Sequence, residues 1–345
     1  MAILLLESFE GIEDPEDKYT IESAALVNIS SAYYRSGAQS LLCSYGYWFR
    51  IDLPASTDDG VIGFGYRFSD VSTTATIGAL VMFYDGSGEQ ISLDVDPMGR
   101  LHLARGATIL AYSSKNLIRQ KWQYIEVKWN CVNSIGADTF IVRLDGVEVI
   151  NLAATTDCQA QAGSGVTIIY IQGASHASNN YFDDLYVLDL TGAAPNNDFL
   201  GDIQITALNP NGNGNASDFT GSDADSTDNY LHVDETIPDW DTSYVESLTI
   251  GHVDLYTYED LPATPDTIYA VQTVMVARKD TAGARYGNLL TRVNSTNYNG
   301  DTFAPVEGSY TYHTKIWELN PDDSAAWAGA DVNGAEFGVG VVATP

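Results

Sequence analysis

The chain has 345 residues, with 16 Lys plus Arg against 46 Asp plus Glu and a formal net charge of −30. A nucleic acid would be repelled by such a surface, which excludes a general nucleic-acid binder. Hydrophobic residues make up 45% and aromatic residues 11%, including 21 Tyr, enough apolar area to offset chain entropy, which excludes a disordered chain.

The opening Met1-Ala-Ile-Leu-Leu-Leu6 has no basic start and runs into Glu7 and Glu10. It therefore reads as a first strand and not as a secretion signal. From there the dominant pattern is short runs of Val, Ile, Tyr and Phe bounded by Gly, Asn, Asp and Ser, which predicts an all-β protein. Strands are expected at 45–53, 61–68, 77–84, 90–94, 101–104 and 122–130, then at 139–144, 147–152, 166–172 and 182–188. In the run Trp122 to Trp129, Trp122, Tyr124, Glu126 and Lys128 share one face, and Gln123, Ile125, Val127 and Trp129 the other. That alternation is the pattern of a half-buried sandwich strand. Asp145-Gly146 supplies the positive φ of a two-residue hairpin turn between two of these strands.

Residues 190–197 carry Gly, Pro and Asn without periodicity, the composition of a connector. The expected modules are therefore 1–192 and 198–345. Through Ala194 there are 11 basic and 23 acidic residues, and after it 5 and 23; no Lys or Arg lies between Arg143 and Arg278. The second half opens with strand-like Phe199 to Thr206 and a low-complexity loop, Asn209 to Asn215. Residues 218–241 then hold seven Asp and one Glu. Further strands at 247–256, 268–277 and 310–319 predict a second β-sandwich-like module.

No run of about 18 apolar residues occurs, so no membrane insertion through a helix is expected. Cys43, Cys131 and Cys158 are odd in number and lack metal-ligand spacing, which argues against a disulfide framework or a zinc site and suits synthesis in a reducing cytoplasm. The five histidines stand singly; His232, near Asp234 and Glu235, is the one kept as a candidate. No Gly-x-Ser-x-Gly elbow, His-Glu-x-x-His helix or phosphate-binding glycine loop is present. Calcium takes six to eight oxygen ligands, and Asp223-Ala-Asp225-Ser-Thr-Asp228 approximates alternating oxygen donors. It lacks the fixed Gly and terminal Glu of the helical calcium loop, and a solvated acidic loop is the competing reading. Aromatic rings can stack on the apolar faces of sugars; Tyr47 and Trp48 in an early cluster, and Trp240 beside Tyr244, are the candidate ligand or interface residues, with burial in the core as the alternative.

Several ordered pieces of the first half resemble the concanavalin A-like, or laminin-G-like, jelly-roll sandwiches: Tyr34-Arg-Ser-Gly37 leading into Ser40-Leu41-Leu42, Trp122 to Trp129, Val142 to Val149, and Phe182 to Asp189. The resemblance covers residues 1–190 and implies a two-sheet sandwich used in adhesion or carbohydrate recognition, sometimes with calcium. Asp183 and Asp184 follow Asn179 and Asn180 at a strand start, a place where related sandwiches hold calcium between loops; turn and strand-edge capping is the alternative. Retaining glucanases on this jelly roll carry Glu-x-Asp-x-Glu along one strand. Here the nearest runs are Asp94-Val95-Asp96 and Asp183-Asp184, without a Glu two positions away.

The second half is similar to a carboxy-terminal module of tailed-bacteriophage structural proteins, through Phe199-Leu-Gly-Asp202, Tyr244-Val245, Ile268 to Val271, Ala277 to Asp280, Asn320-Pro-Asp322, Ala326-Trp327 and Phe337-Gly338. Together the resemblances imply a non-enzymatic virion protein, made in the host bacterial cytoplasm and peripheral to head or tail as a decoration or fibre component. Its expected partners are capsid or tail proteins, further copies of itself as a homo-oligomer, and a host-surface glycan. The alternative is a carbohydrate-binding, lectin-like module of a bacterial surface or secreted protein.

Overall fold

Asp145 and Gly146 both adopt positive φ, 50° and 74°, and the turn they make sets Leu144 opposite Val147 in an antiparallel hairpin. The computed structural model describes residues 2–69, 77–131, 139–152, 160, 165–174 and 177–343. These form two units, one of residues 1–10 with 14–205 and one of residues 11–13 with 206–345. The chain is all-β, as its alternation predicts.

The strands of the first unit are β1 (Ile3–Glu7), β2 (Thr20–Ile21), β3 (Val27–Ser30), β4 (Ser40–Ser44), β5 (Trp48–Thr57), β6 (Asp59–Phe68), β7 (Gly78–Asp85), β8 (Gly88–Val95), β9 (Arg100–Arg105), β10 (Thr108–Asn116), β11 (Gln123–Asn130), β12 (Thr139–Leu144), β13 (Val147–Leu152), β14 (Val166–Gln172) and β15 (Asn179–Leu188). One sheet has the order β13-β12-β11-β6-β15-β4-β3, with β1 also on β15; the other has the order β10-β9-β8-β7-β14-β5-β2. Alternate residues of both sheets meet in one apolar core, including Phe49, Phe64, Phe83, Trp129, Phe140, Ile169 and Phe182, each fully buried. Each such side chain contributes about 1.5–3 kcal/mol by leaving water.

Strand β11 departs from the half-buried expectation. Tyr124 and Glu126, on its non-core face, are as buried as Ile125 and Val127. The cause is residues 198–205, which cross this face as a strap without joining a strand ladder. Leu200 N donates to Tyr186 Oη at 3.1 Å, Gly201 N donates to Glu126 Oε1 at 2.8 Å, and the Arg143 guanidinium lies 3.9 Å from the Phe199 ring centroid. The strand-like run Phe199 to Thr206 thus covers a sheet where a ladder was expected.

In the second unit the strands are β16 (Pro210–Ser217), β17 (Thr220–Gly221), β18 (Val245–Glu246), β19 (Val253–Tyr258), β20 (Val271–Ala277), β21 (Tyr286–Val293), β22 (Thr296–Phe303), β23 (Thr311–Trp317) and β24 (Glu336–Val342), with one short helix, α1 (Gly329–Gly334). The main sheet has the order β16-β19-β24-β21-β22, and β17-β18 and β20-β23 form two-stranded ribbons. All but the first residue of the segment expected as a low-complexity loop falls within β16, whose Asn213 pairs with Tyr256 of β19; the neighbouring strand's backbone imposes order that composition does not favour. Central strand β24 carries Gly338 where a Cβ would lie 1.9 Å from the Asp254 carbonyl oxygen. Trp317, Trp327, Val332 and Phe337 form the core here.

Candidate functional site

Strand alternation divides β5, β14 and β7 between the core and the opposite face. Phe49 and Ile51, Ile169 and Ile171, and Val81 and Phe83 point into the core. By period two, Trp48 and Arg50, Tyr170 and Gln172, and Met82 and Tyr84 then lie on the outer side. The register aligns them, with Trp48 opposite Gln172 and Tyr170 between Arg50 and Met82.

The outer face of the seven-stranded sheet therefore carries a contiguous aromatic group. Trp48 meets Tyr170 edge to face with centroids 4.7 Å apart, and Tyr84 meets Tyr170 likewise at 4.9 Å. All three rings are half-buried, so each retains surface for a ligand. Polar groups border them. Tyr84 Oη donates to Glu89 Oε2 at 3.3 Å, and Arg50 Nε donates to Asp52 Oδ1 at 2.9 Å. Burial, and then the adjacent Glu89 carboxylate, push the Tyr84 hydroxyl up to about 12, so it stays protonated as a donor. Burial also raises the Glu89 carboxyl, against the hydrogen bond from Tyr84.

Further along this face, Asp94 pairs in register with His102, and His102 with Tyr112. His102 is fully buried, with Nε2 3.5 Å from Asp94 Oδ2 and neither ring nitrogen hydrogen-bonded. Tyr112 is exposed and has the Arg100 guanidinium 4.1 Å from its centroid. Such a surface can stack apolar ring faces and exchange hydrogen bonds with hydroxyls.

Of the sequence candidates, Trp48 lies in this group. Tyr47, one position earlier, packs on the core. Trp240 and Tyr244 belong to the second unit, where Trp240 contacts Tyr310 at 5.2 Å and Tyr310 Oη donates to Asp241 Oδ1 at 2.7 Å; the Tyr244 carbonyl accepts from Ser222 N at 2.9 Å. Tyr170 and Tyr84 escaped the sequence reading because they lie 122 and 36 positions from Trp48 and only the strand order brings them together. A signal existed: each occupies an alternate position of an expected strand.

The candidate calcium carboxylates occupy other roles. Asp183 and Asp184 are fully buried. Asp183 Oδ2 accepts from Arg35 N at 2.7 Å and Ser36 N at 3.2 Å, and its Oδ1 accepts from Asp184 N at 2.8 Å. Asp184 Oδ1 accepts from Ser36 Oγ and Ile205 N, both at 2.7 Å, while its Oδ2 pairs with the Arg35 guanidinium. Arg35 also pairs with Asp202 and donates to the Ile203 carbonyl at 2.7 Å. Burial, then the charge of Asp184, raise the Asp183 carboxyl to about 7 against three backbone donors. Asp183 thus fixes the backbone at Arg35 and Ser36, while Asp184 clamps the Arg35 guanidinium and the strap.

Asp223 Oδ1 accepts from Asp225 N at 3.2 Å and lies 3.4 Å from His232 Nε2, and Asp225 Oδ1 accepts from Thr227 N at 2.7 Å. Asp228 takes φ 56° before a short 3-10 turn without a side-chain cap. Among the described residues, no three His, Cys, Asp or Glu side chains converge as metal ligands. Cys43 is a buried free thiol and Cys131 is likewise buried; Cys158 and His176 lie outside the described residues.

No family model matches the chain, and no curated protein matches it. Solved structures similar to it include the cellulose-induced protein Cip1, at 14% identity and TM-score 0.38 over 49% of this chain and 90% of that one. Alginate lyase Aly36B is 11% identical, with TM-score 0.37 over 49% and 86% of the two chains. Domain 4 of AbnA, a GH43 extracellular arabinanase from Geobacillus stearothermophilus in complex with arabinotriose, is 11% identical, with TM-score 0.37 over 55% and 94%. These matches correct the expectation of a non-enzymatic protein: structures similar to the chain include a lyase and a domain of an arabinanase, so the exclusion of catalysis is withdrawn. At TM-scores below 0.5 they carry no argument for an activity of this chain either.

Proposed function

We propose that the first unit is a carbohydrate-recognition sandwich that takes a glycan on the outer face of its seven-stranded sheet. The observation that carries this reading is the Trp48, Tyr170 and Tyr84 group with its polar border. Sugar rings present apolar C–H faces to aromatic rings and hydroxyls to the groups beside them. The setting proposed for it is the one the sequence resemblance implies, a phage particle on which repeated copies of the chain turn weak single-site contacts into avidity.

The test is a glycan array probed with the whole chain, followed by titration of the best ligand against wild type and Trp48→Ala. Saturable binding that the substitution abolishes supports the reading. Absence of binding, or binding that ignores Trp48, overturns it.

A further inference from the structure

We infer that the ligand of this face is a neutral glycan and not a uronate or sulfated one. The inference rests on the reading of the face as a glycan surface and adds the chemical class of what it takes.

Recognition of a sugar carboxylate or sulfate is favoured by a cation whose charge is not already offset, best a guanidinium fork. The register places two guanidiniums here, and each already has an aspartate partner. Arg50 is held by Asp52, at 2.9 Å from Nε, and the Arg50 side chain is about two-thirds buried while Asp52 is exposed. Arg100 is held by Asp96, 3.2 Å from Nε to Oδ2, and lies over the Tyr112 ring. An anionic sugar would share each guanidinium with a carboxylate that stands two or four residues away in the chain and offsets its charge.

Carboxylates also outnumber these cations. Besides Asp52 and Asp96, the face carries Glu89, whose hydrogen bond comes from the neutral Tyr84 hydroxyl, and Asp94, whose Oδ2 lies 3.5 Å from His102 Nε2. That is four carboxylates against two guanidiniums. A uronate at every sugar would therefore meet like charge well within one Debye length, about 8 Å at physiological salt. Neutral sugars bring hydroxyl donors, which these carboxylates accept.

The experiment is calorimetric titration of the whole chain with cello-, xylo-, manno- and galactohexaose, and with galacturonate, mannuronate and guluronate hexamers. Each uronate is used free and carboxyl-methylated, at low and at physiological salt. Neutral or methylated hexamers are expected to bind at least about tenfold tighter than any free uronate. The gap narrows with salt and in Glu89→Gln. A free uronate that binds as tightly as its methylated form, with Trp48→Ala abolishing both, overturns the neutral class while leaving the face as the site. Loss of all binding, or binding indifferent to Trp48→Ala, overturns the glycan reading and this inference with it.

Discussion

Trp48 and Tyr170 meet edge to face, 4.7 Å between ring centroids, on the side of the seven-stranded sheet that faces away from the core. The contact is set by register, since Trp48 pairs with Gln172 and Arg50 with Tyr170 on neighbouring strands. Neither ring contributes to the apolar cluster between the sheets. Trp48→Ala and Tyr170→Ala should therefore weaken glycan binding by about tenfold or more, or about 1.4 kcal/mol. Stability should fall by less than about 1.5 kcal/mol. Titration and urea denaturation of the same preparations separate the two effects.

Arg35 holds the strap and the buried Asp184 together. In Arg35→Ala, Asp184 keeps its burial but loses its cation, and Asp202 and the Ile203 carbonyl lose their donor. Removing one partner of a buried pair costs about 3–5 kcal/mol. Urea unfolding should show that loss in the first unit. Adding Asp184→Asn should recover part of it, because the uncompensated charge disappears. A double variant no more stable than Arg35→Ala would show that the strap contacts, and not the buried charge, carry the energy.

The pH dependence of stability has a definite sign at Asp183. Its carboxyl in the folded chain is raised to about 7, by burial first, whereas an unfolded Asp titrates near 3.9. Between these values the native state binds the extra proton, so this group's contribution is present below about pH 4 and is lost as pH rises through about 7. In Asp183→Asn the slope of unfolding free energy against pH over that window should flatten. Unchanged slopes in paired urea titrations would assign the dependence elsewhere.

Gly63 of β6 lies under the fully buried ring of Tyr186, where a Cβ would sit 2.2 Å from Cε1. That ring is fixed by its hydroxyl donating to Glu126 Oε1 at 2.6 Å. Gly63→Ala should cost about 1–3 kcal/mol by overpacking, read as a lower denaturation midpoint with an unchanged denaturant slope. Gly63→Ala combined with Tyr186→Phe should lose less than the sum of the two, since the freed ring can move.

Calcium should leave the melting temperature unchanged. A cation that bound only the native state would raise it by mass action, but the oxygens of Asp183 and Asp184 already accept protein donors. The Asp223 and Asp225 side chains each accept from a backbone N–H two positions on. Thermal scans across free calcium, with a chelator as baseline, check this; a rise of several degrees would establish a site.

Strand alternation was legible wherever one face meets a core. The expected bounds of β12, β13 and β14 coincide with those of the structure, and Asp145-Gly146 takes the positive φ its composition requires. Legibility failed where strand order depends on a neighbour, as in β16 with its Asn and Gly, or where a face is covered from far along the chain, as with Glu126 beneath Gly201. At the candidate site Trp48 was visible as an aromatic, while its neighbour Tyr47, equally visible, turned inward.

The sequence by itself determined the all-β class, the hairpin at Asp145-Gly146 and the acidic surface, because these follow from period-two patterning, local φ preferences and charge count. Only the tertiary structure decided what the carboxylates and rings do. Asp184, at φ 48° within the irregular register of β15, is buried with Asp183 around Arg35 instead of lying at a loop edge. Tyr84 and Tyr170 join Trp48 because β5, β14 and β7 are neighbours in a sheet whose order is not the order of the chain. Backbone pairing across long stretches of sequence has no local signature, and it is that pairing which assembles the face.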